Sequence, residues 1–384
     1  MIVYSAVVLL VAMLPVLMFL KNSTLFTKAT REPELLADVQ SIPVSILIPA
    51  RNEEASIGEA LRSLLSSSHG QVLGSQANTA IEILVMDDHS EDNTASIVEA
   101  ISATDGRVRL LHSKPLPENW NGKQHACWQL ANAARFDHLL FLDADVRMTS
   151  DAISRCLVEQ KLRNAPLVSG FPMQETGTLA EKMLIPLMHY VLLGYLPIER
   201  MRSTLGVGLA AGCGQLFLAE RTAYMKAGGH DAIQKTRHDG IQLPRAFRKA
   251  GLRTDIFDAS DIARCRMYTS TGQVCNGLLK NATEGIANPR LIFIFTFLLV
   301  FGSVLPLVSL AYGAFARWSW FAMALLLIAS VIAFIPRWKA CKLFQQSYLG
   351  AWLHPLGVAC FVALQWVALV RQQLGLTTVW RGRK

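Results

Sequence analysis

The chain has 384 residues, 52% of them hydrophobic and only 17% charged, against about 25% charged in ordinary soluble domains. That apolar content excludes intrinsic disorder, and seven scattered cysteines without a C-x-x-C pair argue against a disulfide framework or a zinc knuckle. The formal net charge of +8, from 37 basic and 29 acidic side chains, favours anionic partners such as phosphates, acidic lipid headgroups or nucleic acid.

In chain order, Met1–Leu20 comes first, an uncharged run long enough to cross a bilayer. A signal peptide would show a basic start and a small-residue cleavage site, and neither is present. Residues 1–20 are therefore expected to be a retained anchor. Lys21, Lys28 and Arg31 behind it point to an outside N-terminus and a cytoplasmic continuation. From Ser41 to Asn288 (41–288) the sequence reads as a globular domain. Val44–Pro49 is a buried-strand run, followed by helical spacing over Ala55–Leu65. Ile81–Met86 is the next strand, with a helix over Thr94–Ile101, and Val108–His112 and His138–Leu142 flank a helix over Gln124–Ala134. Strands alternating with helices imply an α/β domain with a mostly parallel sheet, whose ligands bind at the carboxyl ends of the strands.

The unusual polar residues collect at those ends. Strand one runs into Pro49-Ala50-Arg51-Asn52-Glu53-Glu54, strand two into Asp87-Asp88-His89-Ser90 and on to Thr94, and strand four into Asp143-Ala144-Asp145. Taken singly, such clusters are what helix caps look like, and Ser90 or Thr94 would make a good cap. Three on one sheet edge ask for a ligand. A carboxylate pair without histidine or cysteine partners suits a hard divalent ion bridging to substrate phosphates. Lys123, in Trp120-Asn121-Gly122-Lys123, opens a helix where a cation is unfavourable unless an anion is present; a solvated surface lysine is the plainer reading. Neither G-x-x-x-x-G-K-S/T nor G-x-G-x-x-G occurs, so P-loop and dinucleotide-binding readings fail.

Further along, Met183–Ile198 is an apolar run too short to span, fitting an interfacial or a buried helix equally. Ala210–Gln215 (A-A-G-C-G-Q) is small enough to admit a substrate, or to make a tight strand turn. His238-Asp239-Gly240 precedes a helix over Ile241–Ala250, where Asp239 by itself is an N-cap. Arg245, Arg248, Lys249 and Arg253 form a basic face that is either solvated or turned to anionic headgroups. Leu291–Tyr312, Trp318–Ile335 and Ala351–Val370 are three more spans (291–370), with Arg337, Lys339 and Lys342 suited to a cytoplasmic loop. Arg371, Arg381, Arg383 and Lys384 make the tail (371–384) basic. Either it lies outside or one C-terminal segment is a re-entrant or interfacial helix.

The ordered motifs P-A-R-N-E-E, V-M-D-D-H-S-E-D-N-T, W-N-G-K and F-L-D-A-D-V resemble family 2 glycosyltransferases of the GT-A fold over about residues 41–290. The likeness extends to membrane-anchored members that glycosylate lipids, such as carotenoid, hopanoid-associated and ceramide glycosyltransferases. Arg266-Met267-Tyr268, Lys280-Asn281 and Val379-Trp380-Arg381-Gly382-Arg383 are similar to the bacterial carotenoid and hopanoid group. The resemblance implies that Pro49, Arg51, Asn52 and Glu53, with Asp87 and Asp88, hold the donor nucleotide, a UDP-sugar. It also implies that Asp143 and Asp145 bind ribose and a Mg²⁺ or Mn²⁺ ion on the donor diphosphate. Lys123 would neutralise that diphosphate or contact the sugar. The family's acid pair before a helix matches Asp239 as catalytic base, with His238 departing from the pattern and Asp255, Asp258 and Asp261 as weaker candidates. The Q-x-x-R-W element of processive relatives is absent, which favours single-sugar transfer; Arg264 and Arg266, or Trp380-Arg381, would stand in for it.

These readings amount to a metal-dependent, inverting, membrane-bound glycosyltransferase acting on a lipid acceptor at the cytoplasmic face of a bacterial inner membrane. The alternatives are a polyprenyl-phosphate or short-polysaccharide glycosyltransferase, and an inactive membrane scaffold that binds sugar nucleotides. No recognition motif supports a nucleic-acid partner.

Overall fold

The protein is described by a computed structural model over residues 1–69 and 80–376, and it divides into two compact units. One is drawn from Phe26–Met173 and Arg200–Arg266 and is built on a seven-stranded sheet. The other comprises Met1–Leu25, Gln174–Glu199 and Met267–Lys384 and is helical.

The strands are β1 (Val44–Ala50), β2 (Ile81–Asp87), β3 (Val108–His112), β4 (His138–Leu142), β5 (Val146–Met148), β6 (Leu167–Phe171), β7 (Met173–Gln174), β8 (Leu216–Glu220), β9 (Thr254–Asp258) and β10 (Ala263–Cys265). The main sheet has the order β3-β2-β1-β4-β8-β6-β9. β3, β2, β1 and β4 run parallel, while β8 is antiparallel to both β4 and β6. All seven residues of β2 are buried, as expected of a central strand covered on both faces, which is why it reads as an unbroken apolar run. β5 pairs antiparallel with β10 in a small second sheet.

Register sets the edge that matters. Ala50 lies opposite Asp87, and Asp87 opposite His112, so the loops after β1 and β2 leave the sheet side by side. Because β8 runs the other way, the segment entering it, Gly212–Gln215, arrives at this same edge. Asp143 N–H donates to the Gln215 carbonyl at 3.1 Å.

Two helices deliver side chains to that edge from one core. The helix Gly122–Ala133 buries Ala126, Cys127, Leu130 and Ala131 against Leu47, Leu84 and Phe141 of the sheet, and the helix Asp239–Lys249 contributes Leu243 and Phe247 to the same cluster. Burial of a side chain such as Phe247 contributes about 1.5–3 kcal/mol, so the two helix N-termini are held by well-packed apolar matter. All seven cysteines are free.

In the helical unit, Ile2–Leu25, Ile292–Phe315, Trp320–Leu343 and His354–Gln373 are long and apolar enough to cross a membrane. The second of these is interrupted by a π-helical turn at Val300–Val304. The Met183–Ile198 run is broken by Pro186 and yields the helix Leu187–Tyr195, with His189, Tyr190 and Leu193 buried. Asn22 holds its end by donating to the carbonyls of Leu193 and Leu196 at 2.8 and 2.6 Å. Gly194 permits close approach to the first helix, since a Cβ there would stand 3.3 Å from Pro15 Cβ. Of the basic tail, Arg371 is described, whereas Trp380, Arg381, Arg383 and Lys384 lie outside the described residues.

Candidate active site

The loops after β1 and β2 are laced to each other by their own polar residues. Arg51 Nη1 donates to the Asp88 carbonyl at 2.8 Å, and Asp88 N–H donates to the Ala50 carbonyl at 2.8 Å. Asn52 sits at φ 53°, in the left-handed region that asparagine tolerates. Its N–H donates to Ser90 Oγ at 3.0 Å, and its Oδ1 accepts from Glu91 N–H at 2.8 Å. Glu53 N–H donates to Thr94 Oγ1 at 2.7 Å, and Glu54 N–H to Asp92 Oδ2 at 3.1 Å. Neither Ser90 nor Thr94 caps the following helix. Asn93 occupies the cap position without a side-chain bond, because the hydroxyls are used to join the two loops. Asp87 accepts weakly from Ser90 N–H, at 3.3 and 3.4 Å. The P-A-R-N-E-E and D-D-H-S-E-D-N-T motifs thus form one rigid rim around the carboxyl ends of β1 and β2.

Lys123 is the centre of the second half. Asn121 caps its helix, accepting from Lys123 N–H at 3.1 Å. Lys123 Nζ then lies 2.6 Å from Asp143 Oδ1 and 2.8 Å from Asp239 Oδ2, and donates to the Gly214 carbonyl at 3.3 Å. Residues far apart in sequence therefore meet around one ammonium. The two carboxylates supply the anion that a cation at a helix N-terminus needs. Burial acts to lower the Lys123 pKa, but Asp143 and Asp239 outweigh it and hold the ammonium well above its ordinary value. Burial alone would push Asp239 up; the adjacent Lys123, through charge and hydrogen bond, holds it down instead.

Asp239 is the first helical residue, with His238 in the cap position and making no side-chain capping bond. Its Oδ1 accepts from Gly240 N–H at 2.8 Å, which leaves Oδ2 for Lys123. The small residues before β8 make this possible. A Cβ on Gly214 would fall 2.1 Å from Asp239 Oδ1, and one on Gly212 would fall 3.0 Å from the Gly240 carbonyl. What approaches the A-A-G-C-G-Q segment closely is Asp239 itself. Gly214→Ala is accordingly expected to displace the Asp239 carboxylate and to cost about 1–3 kcal/mol in overpacking. Turnover should fall together with a lowered thermal midpoint, whereas Gly208→Ala, where a Cβ meets nothing within 4 Å, should change neither.

Asp145 occupies a drier place. Its Oδ1 is buried without a hydrogen-bond partner. Burial raises its pKa above the carboxylate range, and the charges of Asp143 and Glu53 add to the rise. The neighbouring Cys265 thiol opposes part of that rise. Gln215 links this corner, donating through Nε2 to Cys265 Sγ at 2.9 Å and accepting from Cys213 Sγ at 3.4 Å. Cys265 was not legible as a site residue, whereas Gly212, Gly214 and Gln215 lie in the A-A-G-C-G-Q segment, where the signal was the density of small residues before β8. Among the described residues, no group of three or more His, Cys, Asp or Glu is arranged to hold a metal by itself. One buried, unsatisfied carboxylate oxygen beside a second aspartate fits a hard divalent ion whose remaining ligands come from a diphosphate and water.

The weaker candidates are occupied elsewhere. Asp255 accepts from Arg202 Nε at 2.9 Å, Asp258 accepts from Ser260 N–H at 2.8 Å, and Asp261 pairs with Arg155 at 2.6 Å. Arg248 is buried, not part of a solvated face, and donates to Thr254 Oγ1 and to the carbonyls of Met201 and Thr204. Arg264, in register with Arg147, lines a cavity of about 460 Å³ with Glu59 and Arg62. Arg266 is exposed one residue beyond β10.

The family model described as Glycosyl transferase family 2 matches residues 45–226. The 4,4'-diaponeurosporenoate glycosyltransferase of Staphylococcus aureus (strain USA300) is 25% identical over 289 residues, spanning 70% of this chain and 68% of its own length. The enzyme of the same name from Staphylococcus haemolyticus (strain JCSC1435) is 26% identical over 227 residues, 59% of this chain and 56% of its own. Among solved structures, mannosyltransferase PcManGT from Pyrobaculum calidifontis, in complex with GDP-Man and Mn²⁺, aligns with a TM-score of 0.57 at 16% identity, over 96% of this chain and 99% of that one. That likeness establishes the fold alone. Residues 45–226 thus match the family 2 glycosyltransferase model, on a GT-A fold, and among the described residues the chain also carries four apolar helices of membrane-spanning length.

Proposed function

We propose that the chain is a membrane-bound inverting glycosyltransferase, moving a sugar from a UDP-sugar to a lipid acceptor at the cytoplasmic face of a bacterial inner membrane. The observation that carries the reading is the convergence of Asp143, Lys123 and Asp239 beside the buried Asp145. The catalytic role belongs to residues 41–288, whose chemistry-bearing side chains all fall in the sheet unit. The carotenoid substrate in the names of the staphylococcal relatives supports a lipid acceptor, as do the four membrane-length helices.

In this reading, Pro49, Arg51, Asn52, Glu53, Asp87 and Asp88 form the rim that takes the nucleotide, and Arg266 faces the diphosphate. Asp239 takes the proton from the acceptor hydroxyl as that oxygen attacks the anomeric carbon. A base held below the ordinary carboxylate range is a weak one, so transfer of Lys123 from Asp239 to the donor diphosphate would strengthen Asp239 when donor is present. The same ammonium would then offset charge on the leaving group. Asp145, with Asp143, would hold Mg²⁺ or Mn²⁺, which when bound neutralises the diphosphate.

The test is transfer from UDP-sugars to lipid extract by the purified full chain, with Mn²⁺, with Mg²⁺ and with chelator. Activity is expected only with metal, and Asp145→Ala should remove it, by roughly 10²-fold or more. Unchanged transfer in chelator, or by the variant, would overturn the metal assignment. Donor binding without any turnover would favour the scaffold reading.

A further inference from the structure

The helical unit buries an arginine without a counter-ion. Arg337, within the last two turns of the helix Trp320–Leu343, is 0% exposed. Its Nη1 donates to Gln346 Oε1 at 3.2 Å, while Nε and Nη2 have no partner. The unit's carboxylate side chains are Glu175, Glu181, Glu199 and Glu284; Glu181 is engaged in a capping box with Thr178 and Glu199 with Lys21, and among the described residues none forms an ion pair with Arg337. His354, the first residue of the next long helix, is also 0% exposed, and neither of its ring nitrogens has a partner.

The surroundings are polar but neutral. Gln346 Nε2 lies 3.2 Å from His189 Nδ1, and the His189 ring stacks on Phe344 at 4.1 Å. Tyr190 packs edge-on to His354 at 4.7 Å, and its hydroxyl is 2.9 Å from Ser303 Oγ. The Arg337 charge acts on His189, Tyr190 and His354 alike.

A guanidinium stays charged at every working pH, and an uncompensated buried charge is among the least favourable arrangements a fold can contain. Ionisable groups among membrane helices ordinarily mark a ligand or ion path. The ligand's chemistry is constrained by what is here. A cation is repelled, and a neutral group leaves the charge uncompensated. The Nε and Nη2 donors form one edge of the guanidinium fork, which matches the two oxygens of a carboxylate. One positive charge also matches one negative charge. The place is the end of two membrane-length helices, where a lipid's headgroup would sit. Gln346 Oε1 accepts from Nη1, which leaves the Nε–Nη2 edge for the carboxylate. Gln346 is half-buried and follows Gln345, at φ 53°, in the short link between helices.

We propose that Arg337, with His354 as a further donor, binds the carboxylate of an acidic, apolar-chained lipid along its Nε–Nη2 edge, beside the Gln346 amide held by Nη1. Binding at Arg337 is tested without donor.

The probe is cis-parinaric acid, whose fluorescence rises on binding, compared with its methyl ester on the full chain in neutral detergent. The acid is expected to bind at least tenfold tighter than the ester, and Arg337→Gln should abolish that preference. Gln346→Glu supplies an internal carboxylate to the guanidinium. It is expected to fold as well as the parent and to lose the acid preference, which keeps the test decisive if Arg337→Gln does not fold. Equal binding of acid and ester by the parent chain, or full acid preference in Gln346→Glu, would overturn the proposal. Displacement of the probe by phosphatidylglycerol but not by oleate would overturn the carboxylate assignment in favour of a phosphate headgroup.

Discussion

Asp239→Asn is expected to lower the turnover number by roughly 10²–10⁴-fold, the range for loss of a general base, with donor affinity little changed. The substitution is nearly isosteric, and asparagine Oδ1 can still accept from Gly240 N–H as the carboxylate does at 2.8 Å. Lys123 keeps its 2.6 Å contact with Asp143, so the donor side of the site retains its cation. Sugar transfer and UDP affinity measured on the same preparation separate base loss from site collapse. Full activity in the variant would remove Asp239 from the mechanism, and a parallel loss of donor binding would recast it as a structural partner of Lys123.

The second large effect is expected from Lys123→Met. Removing one partner from a buried ion pair costs about 3–5 kcal/mol. Here the lower end applies, because the Lys123 side chain is 32% exposed. The Asp239 contribution to the pH dependence should change sign. In the parent chain the Asp239 pKa is depressed, so its contribution to stability is complete above the ordinary carboxylate value near 3.8 and is withdrawn as pH falls through the depressed value. Without the ammonium, burial raises Asp239 instead. The folded state then holds the proton more tightly than the unfolded state, and stability falls as pH rises from that ordinary value through the raised one. Asp145, raised by burial in both chains, contributes a common decline over this window, so thermal midpoints between pH 4 and 8 should fall more steeply for the variant than for the parent. A variant profile no steeper than the parent's would mean that the Asp239 carboxylate relaxes into solvent and that Lys123 is not what holds it.

Much of the catalytic frame was legible because it is local. Val44–Pro49 and Ile81–Met86 read as buried strands from their apolar runs, each extended by one residue in the structure, and the polar clusters follow directly at their carboxyl ends. Parallel pairing with Ala50 opposite Asp87 then puts the clusters together with little freedom. The caps were harder. Ser90 and Thr94 have capping chemistry, but their hydroxyls are recruited across the gap by Asn52 and Glu53, a choice that depends on which loop lies alongside. Arg248 likewise has the look of a surface residue on a basic face, yet it is buried because the carbonyls of Met201 and Thr204 pass within its reach.

By itself, the sequence determined the class of fold, the apolar segments and the identity of the charged residues, since periodicity and residue type are properties of short stretches. The partners of those charges were decided only by the tertiary structure. The antiparallel entry of β8 brings Gly212 and Gly214 to the edge where Asp143 ends its strand, and the absence of their side chains leaves room for Asp239 to reach Lys123. Likewise Arg337, one of several basic residues near a span in the sequence, becomes a buried charge without a counter-ion only when helices close around it. In both places the deciding quantity is a distance between residues far apart in the chain, and packing sets that distance after local preferences have acted.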